Sequence, residues 1–152
     1  MSQLRTNSIV PVGGIPAGAS GGGIIQLVKT SSSTQYSSSS TTYQDTISAS
    51  ITPRSTSNKI LILATAPVLS ASSAEVQAIL VRGTTQICGP TKNGQSTMWG
   101  STSLIFLDSP ATTSSTTYKI QFRSHISGTT VYFGTGDVDS NNVSLHLLEI
   151  SG

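Results

Sequence analysis

The sequence predicts an all-β fold, an antiparallel β-sandwich that we expect to be jelly-roll-like, preceded by an extended Gly/Pro-rich arm. Short β-prone runs separated by turn residues follow one another along the chain, and no long window shows a helical period. One run alternates strictly, which puts apolar and polar side chains on opposite faces of a strand: Tyr118, Ile120 and Phe122 against Lys119, Gln121 and Arg123. Many short strands in 152 residues are typical of two sheets packed over one core.

Composition favours one domain with a surface that is polar but uncharged. The chain has 28 serines and 21 threonines but only 8 Lys+Arg and 6 Asp+Glu. Charged residues make up 9% of it, against about a quarter in typical soluble domains. The formal net charge is +2 and the basic residues are scattered, so we expect no nucleic-acid partner.

Cysteine content and hydropathy predict a fold that does not depend on an oxidising compartment or on a membrane. The single cysteine, Cys88, cannot form an internal disulfide, so we expect a buried, inert thiol. No 18-residue apolar run could span a membrane, and the polar stretch Met1–Thr6 and the Pro11 interruption do not fit a signal peptide. We therefore expect synthesis in a cytoplasm and no membrane insertion.

Residues 1–22 form a region of their own, the N-terminal arm, ahead of a sandwich domain over residues 23–152. Proline and glycine recur in the arm and prevent a helix or a long strand. Its apolar residues exceed what a solvated linker needs, so we expect them to be buried against another subunit: Leu4, Ile9, Val10, Val12 and Ile15.

The first half of the domain predicts three strands. The first covers Ile24–Thr30, and the Ser-rich tract Ser31–Thr42 that follows has the composition of a disordered segment. A second strand, Tyr43–Thr52, is ended by Pro53 and would carry alternate residues from Tyr43 through Asp45 to Ile51 on one face. The third, Lys59–Ala66, is apolar on both faces, which predicts a central strand covered on both sides.

The second half predicts five or six further strands, which makes eight or nine in all. Glu75–Arg82 ends at Gly83, a weaker strand runs through Thr84–Cys88, and the turn dipeptide Asn93-Gly94 precedes Thr97–Leu107. The alternating run at Tyr118–Arg123 and a strand ending near Gly134 follow. An acidic turn, Asp137–Asn142, leads to the last strand, Val143–Ile150.

No motif predicts a cofactor or metal. The glycines of Gly13–Gly23 lack the Gly-Lys-Ser/Thr of a phosphate-binding loop. Asp137–Asn141 has the oxygen-ligand spacing that begins a calcium loop, but Asn142 replaces its glycine and Leu148 its bidentate glutamate, which favours a plain acidic turn. His125 and His146 are expected to be packed or interface residues rather than zinc ligands.

No motif identifies catalytic residues either, so we expect that the chain is not an enzyme. The Gly-x-Ser-x-Gly nucleophile elbow is absent, and no Ser-His-Asp set stands out. Glycoside cleavage needs two carboxylates across a bond, and nothing selects two among Asp45, Glu75 and Asp108.

A glycan-binding surface is chemically coherent with this composition. Trp99, Tyr36, Tyr43 and Tyr132 offer flat faces for stacking on sugars, and the many hydroxyl and amide groups offer neutral hydrogen bonds. The alternative is that Trp99, close in sequence to Leu104 and Phe106, belongs to the core or to an interface.

Four passages carry a resemblance to a known group of proteins: Ile9–Gly23, Ile51–Leu63, Asp108–Phe122 and Ser144–Gly152. In these passages, which are distributed from residue 9 to residue 152, the sequence resembles small tail-fibre-like and other virion structural proteins of tailed bacteriophages, especially phages of marine bacteria and cyanobacteria. The resemblance implies an N-terminal attachment segment, a C-terminal β-sandwich and a trimeric or otherwise symmetric assembly. It implies no catalytic residues.

Residues and resemblance together predict a non-enzymatic virion component made in the host bacterial cytoplasm. We expect a short tail fibre or appendage subunit whose arm binds other virion proteins, with a homotrimer favoured, and whose sandwich contacts host surface polysaccharide. Two alternatives stay open, a capsid decoration (cement) protein that clamps neighbouring capsid subunits and a glycan-binding adhesin module. A depolymerase is the weakest class.

Overall fold

The fold is given by a computed structural model, which describes residues 23–71, 73–93, 99–136 and 143–152. All regular structure in these ranges is β-strand. The N-terminal arm with its five apolar residues, the acidic turn Asp137–Asn142 and residues 94–98 lie outside the described residues.

Ten strands follow one another in the described ranges. They are β1 (Ile24–Ser32), β2 (Tyr36–Ser38), β3 (Gln44–Ile51), β4 (Lys59–Ser70), β5 (Val76–Arg82), β6 (Thr85–Asn93), β7 (Trp99–Asp108), β8 (Thr116–Ser124), β9 (Val131–Phe133) and β10 (Val143–Ile150). All of the predicted strands occur in the expected succession along the chain, and only the short β2 was not expected.

The strands form two antiparallel sheets. Sheet A has the order β1-β10-β4-β7, and the short β9 and β2 extend it beside the far end of β4, beyond β10. Sheet B has the order β3-β8-β5-β6. The chain passes repeatedly from one sheet to the other, and eight long strands in two such four-stranded sheets make a jelly roll. The predicted fold class is thereby confirmed.

A single apolar core lies between the two sheets. Phe122 of β8 and Phe133 of β9 stack at its centre with ring centroids 5.3 Å apart, a separation typical of aromatic pairs. Around them pack the inward-facing side chains of both sheets, among them Ile51, Ile60, Ile62, Val68, Leu80, Tyr118, Ile120, Leu145 and Leu147. Period-two alternation in the sequence therefore reports the inner face correctly.

Strand β4 is central, as predicted, but it is covered on one side only. Ile60 and Ile62 point into the core with no exposed surface, whereas Leu61 and Leu63 on the opposite side remain partly exposed. The prediction that β4 is covered on both faces was wrong for the chain by itself. The apolar outer side of β4 is therefore left facing outward.

A β-bulge changes the predicted face of Asp45. Asp45 pairs with Gln121 and Ser48 pairs with Lys119, so β3 holds one more residue than β8 across this interval. Such an extra residue reverses the alternation of side chains. Asp45 consequently lies on the outer face of sheet B, while Ile47, Ala49 and Ile51 lie in the core. The predicted common face for Asp45 and Ile51 was wrong.

The Ser-rich tract is ordered rather than disordered. Its residues Tyr36–Ser38 form β2 and pair with Val131–Phe133 of β9. Ser38 is buried, and the backbone N–H of Ser124 donates to the carbonyl of Ser40 at 3.0 Å. Pairing with β9 and β8 satisfies the tract's backbone groups, which its composition alone could not indicate.

Candidate functional site

The outer face of sheet B is polar and internally paired. Lys119 Nζ donates to Asp45 Oδ2 at 2.9 Å, and Gln121 Nε2 donates to Asp45 Oδ1 at 2.6 Å. The hydrogen bond from Lys119, followed by that from Gln121, lowers the pKa of the Asp45 carboxyl. The Arg123 guanidinium lies 4.5 Å from the Tyr43 ring centre and donates to Gln77 Oε1. This face has the chemistry of a surface in contact with water.

The outer face of sheet A is apolar near the end where β1 begins. Cross-strand pairing aligns six aliphatic side chains, which we call the apolar patch: Leu27, Leu61, Leu63, Ile105, Leu107 and Leu148. Ile105 is 65% exposed, Leu27 57% and Leu107 49%. His146 lies beside Leu63 on the same face and is partly buried, which agrees with the prediction of a packed or interface histidine.

Two of the four predicted glycan-contact residues come together at the other end of sheet A. Leu69 of β4 pairs with Trp99 on one side and with Tyr132 on the other. Val68, the neighbour of Leu69, is in the core, so this row points outward, and Trp99 is 49% exposed. We call Trp99, Leu69 and Tyr132 the aromatic row.

The other two predicted aromatic residues lie elsewhere. Tyr36 pairs with the buried Phe133 and packs against the core, with its hydroxyl 3.5 Å from Ser32 Oγ. Tyr43 packs on Arg123 on the opposite sheet. A single four-residue aromatic platform is therefore not formed.

Hydroxyl groups separate the apolar patch from the aromatic row. Ser144, Thr65 and Ser103 form one cross-strand row, in which the hydroxyls of Thr65 and Ser144 are 2.9 Å apart. Pro67 and Ser101 form the next row. Sheet A thus presents two chemically distinct surfaces along the same strands.

The described chain starts and ends beside the apolar patch. Ile24 pairs with Ile150, Ile150 pairs with Lys59, and the Ser151 N–H donates to the Gly23 carbonyl at 3.1 Å. The aromatic row lies ten residues further along β4, at Leu69. At a rise of about 3.3 Å per residue, the two ends of the sheet are about 33 Å apart.

Two open hollows lie at the same end as the chain termini. One, with a volume of about 390 Å³, is lined mainly by Arg82, Gly83, Thr112 and Thr116. The other, of about 380 Å³, is lined by Asp45, Ser48, Thr117 and Lys119 among others. Gly83 and Thr117 contribute to both hollows. Hydroxyl groups line both hollows, beside Arg82 in the first and the paired Asp45 and Lys119 in the second.

A buried carboxylate, Asp108, joins the two sheets near these hollows. Tyr118 Oη donates to Asp108 Oδ2 at 2.6 Å, and Arg82 Nη1 donates to both oxygens at 2.8 and 2.9 Å. Burial and then the hydrogen bond to Asp108 raise the pKa of the Tyr118 phenol well above its ordinary value. Sequence reasoning considered Asp108 only as a catalytic acid, whereas its contacts are structural.

A second buried carboxylate, Glu149, was not singled out from the sequence. Asn58 Nδ2 and the Arg54 N–H each donate to Oε1 at 2.6 Å, and Gln26 Nε2 donates to Oε2 at 2.5 Å. Burial would raise the pKa of the carboxyl, but these hydrogen bonds outweigh it and lower the pKa. The sequence did contain a signal for this buried carboxylate, because alternation along β10 places the acidic residue Glu149 on the inward face of the strand.

The remaining candidates show no built site. Cys88 is a free, partly buried thiol packed against the core, and His125 is exposed, with Nδ1 3.1 Å from Gln77 Nε2. Within the described ranges no three His, Cys, Asp or Glu side chains cluster as metal ligands would. No helix long and apolar enough to cross a membrane occurs there either.

No protein-family model matches the chain, and no curated protein matches it.

Proposed function

We propose that this chain is a non-enzymatic structural component of a phage virion, a short tail fibre or appendage subunit. In this proposal the N-terminal arm binds other virion proteins and homo-oligomerisation, with a trimer favoured, builds the appendage. The jelly roll projects from the particle and its far end contacts host surface polysaccharide. The proposed location in a phage virion rests on the resemblance of the sequence to phage virion proteins.

The observation that carries the proposal is the placement of the two ends of sheet A. The arm joins the domain at Gly23, beside Ile150, whereas Trp99 and Tyr132 flank Leu69 at the opposite end of β4. An appendage that is attached at one end and makes contact at the other needs this separation of about 33 Å. Flat aromatic rings bordered by neutral hydroxyls suit contact with sugars.

The environment of the two buried carboxylates supports a structural role. Asp108 binds Arg82 and Tyr118, and Glu149 accepts hydrogen bonds from Asn58 and Gln26. Asp108 joins β7 to β5 and β8, Glu149 joins β10 to β1 and to the segment before β4, and each accepts hydrogen bonds from protein donors at both oxygens. Carboxylates held in this way stabilise the fold rather than act as an acid and a base across a sugar linkage.

Analysis of purified particles tests the virion role. Particles of a phage whose genome encodes the chain are purified by density gradient. The chain in these particles is quantified by mass spectrometry and labelled with an antibody against residues 23–152. We expect the chain in the particle at a copy number that matches the symmetry of a tail or neck position. Label over the capsid shell at a far higher copy number would instead identify a decoration protein. Particles free of the chain would contradict the proposal.

A binding assay tests glycan contact at the aromatic row. We expect Trp99→Ala to lower binding to host surface polysaccharide about two- to tenfold, because a stacked ring contributes about 0.5 to 1.5 kcal/mol. Ile126→Ala is the matched control, since Ile126 is an exposed apolar residue outside the row, at 43% exposure. Equal binding by both variants would remove the glycan contact from the proposal and leave the particle assay unaffected.

A further inference from the structure

We propose that the part of the outer face of sheet A that carries the apolar patch is the surface through which copies of this chain associate. The inference deepens the proposed function, since it names the interface of the homo-oligomer on which that function rests. Its occupant is a second copy of the chain.

The patch is apolar, contiguous and exposed in the isolated chain. Leu27, Leu148, Leu61 and Leu107 form one cross-strand row, and Leu63 and Ile105 adjoin it in the next. Three of the six side chains expose about half of their surface or more. Contiguous apolar surface of this kind marks an interaction site, whereas scattered exposed leucines do not.

The outer side of sheet B is the comparison within the same fold, because its side chains have the chemistry of a sheet face in contact with water. Its outer side carries Lys119, Gln121, Arg123 and Asp45, joined by hydrogen bonds and an ion pair. The aliphatic residues of that side, Ile79 and Val81, pair with Gln121 and Lys119 and are only 3% exposed, whereas Ile105 of the apolar patch on sheet A is 65% exposed. The difference between the two outer faces indicates that sheet A is the one covered by another molecule.

The charge pattern of the face fits a copy of itself. None of the outward residues of β1, β10, β4 and β7 is a carboxylate, and the basic groups are Lys29 on an edge strand, Lys59 at the end of β4 and His146. A closed homo-oligomer brings the same surface chemistry to both sides of its contacts. The row of the patch that runs from Leu27 to Leu107 carries no charged residue, so it can meet its own copy without unpaired buried charge, while Lys29 and His146 lie in the neighbouring row.

The size of the face also fits a contact between subunits. The part of the face that carries the apolar patch extends from Lys59 to Thr65, about 20 Å, across four strands about 4.8 Å apart, which gives an area of about 400 Å². Specific interfaces bury about 800 Å² on each partner. The patch therefore supplies about half of one such interface as its apolar centre, and the aromatic row at the far end stays outside it.

Oligomeric state measured with purified full-length chain tests the proposal. Light scattering after gel filtration should give the wild type a mass that is a multiple of 15.7 kDa. The double variant Ile105→Lys/Leu107→Lys should run as the monomer at the same concentration, because it places two charges at the centre of the contact. Far-ultraviolet circular dichroism and the unfolding midpoint establish that each variant is folded, and the milder pair Ile105→Thr/Leu107→Thr replaces the lysine pair if that pair does not fold.

The matched control adds the same two charges to the other sheet. Ser48→Lys/Ser50→Lys also changes two exposed residues, two apart on an edge strand, but on the outer face of sheet B. We expect this control to keep the mass of the wild type. A monomeric wild type would overturn the proposal, and so would a folded patch variant that keeps the oligomer. Neither result bears on whether the chain is present in purified particles, so the two proposals fail separately.

Discussion

Among the residues that the structure describes, Asp108 and Glu149 are the buried carboxylates, and each ties together separate segments of the chain. Asp108 of β7 holds Arg82 of β5 and Tyr118 of β8. Glu149 of β10 holds the segment between β3 and β4 through Asn58 and the Arg54 backbone. In a protein with so few charged residues, these contacts contribute specific geometry beside a core of aliphatic and aromatic side chains.

Asp108→Asn should destabilise the fold. The substitution removes the charged acceptor of Tyr118 and Arg82, and hydrogen bonds to a charged group contribute about 1.5 to 3 kcal/mol. We expect the free energy of unfolding to fall by about 2 to 3 kcal/mol in denaturant titrations. Asp45→Asn is the control because its ion pair with Lys119 is exposed, and it should cost less than about 1 kcal/mol. Equal losses would show that Asp108 is not a structural anchor.

The Glu149 carboxyl should make the fold sensitive to acid. Its pKa in the folded protein lies below the ordinary value of 4.5, so the ionised form is the one that the fold stabilises. The corresponding stability is complete above about pH 4.5 and is lost as the pH falls through the folded-state pKa. Unfolding midpoints measured from pH 6 down to about pH 3 should decline more steeply for the wild type than for Glu149→Gln. Parallel curves would contradict this assignment.

At the scale of elements, the pairing of β5 with β6 depends on a glycine bulge. Ala78 pairs with Thr91 and Leu80 pairs with Cys88, so β6 holds an extra residue here. Gly89 has a φ of 92°, and a Cβ at this position would lie 2.6 Å from the Ala78 carbonyl oxygen. Only glycine fits both the backbone conformation and the close approach of β5.

Gly89→Ala should therefore cost clearly more stability than Gly83→Ala. Gly83 also has a positive φ, of 58°, but a Cβ there would have no heavy atom within 4 Å. We expect about 1 kcal/mol for Gly83→Ala, which is the backbone cost alone, and at least twice that for Gly89→Ala. Thermal unfolding of the two variants side by side makes the comparison. A smaller loss for Gly89→Ala would mean that β6 shifts freely along β5.

Much of the fold could be predicted because alternation in the sequence reports burial directly. The run around Ile120 marks the inner face of β8, and Val143–Ile150 is matched residue for residue by β10. Bulges and short pairings could not be predicted, because they depend on the partner strand. The extra residue in β3 moves Asp45 outward, and Ser38 is buried only because β9 lies beside it.

The candidate surfaces were less accessible to sequence reasoning than the fold. Trp99 and Tyr132 are 33 positions apart in the chain and meet only because both strands pair with Leu69. The leucines of β4 suggested a strand covered on both sides, and the structure leaves its outer side open. The leucines of β4 thus predicted that its outer side is covered, but sheet B packs only against the inner side of β4.

At the scale of the whole molecule, the N-terminal arm and the sandwich are expected to have separate roles. Deletion of residues 1–22 should leave the sandwich folded, because the core is built from strands β1 to β10. It should weaken assembly and abolish incorporation into particles. An unchanged circular dichroism spectrum with lost incorporation is the expected pair of results, and normal incorporation of the truncated chain would contradict the role of the arm.

Electron cryo-microscopy of the intact particle at side-chain detail would show directly whether the chain is a subunit of a virion appendage. We predict copies of the jelly roll arranged symmetrically on a tail appendage, with Gly23 toward the particle, the apolar patches in contact and Trp99 toward the outside. A particle whose every surface protein is accounted for by other chains would contradict it.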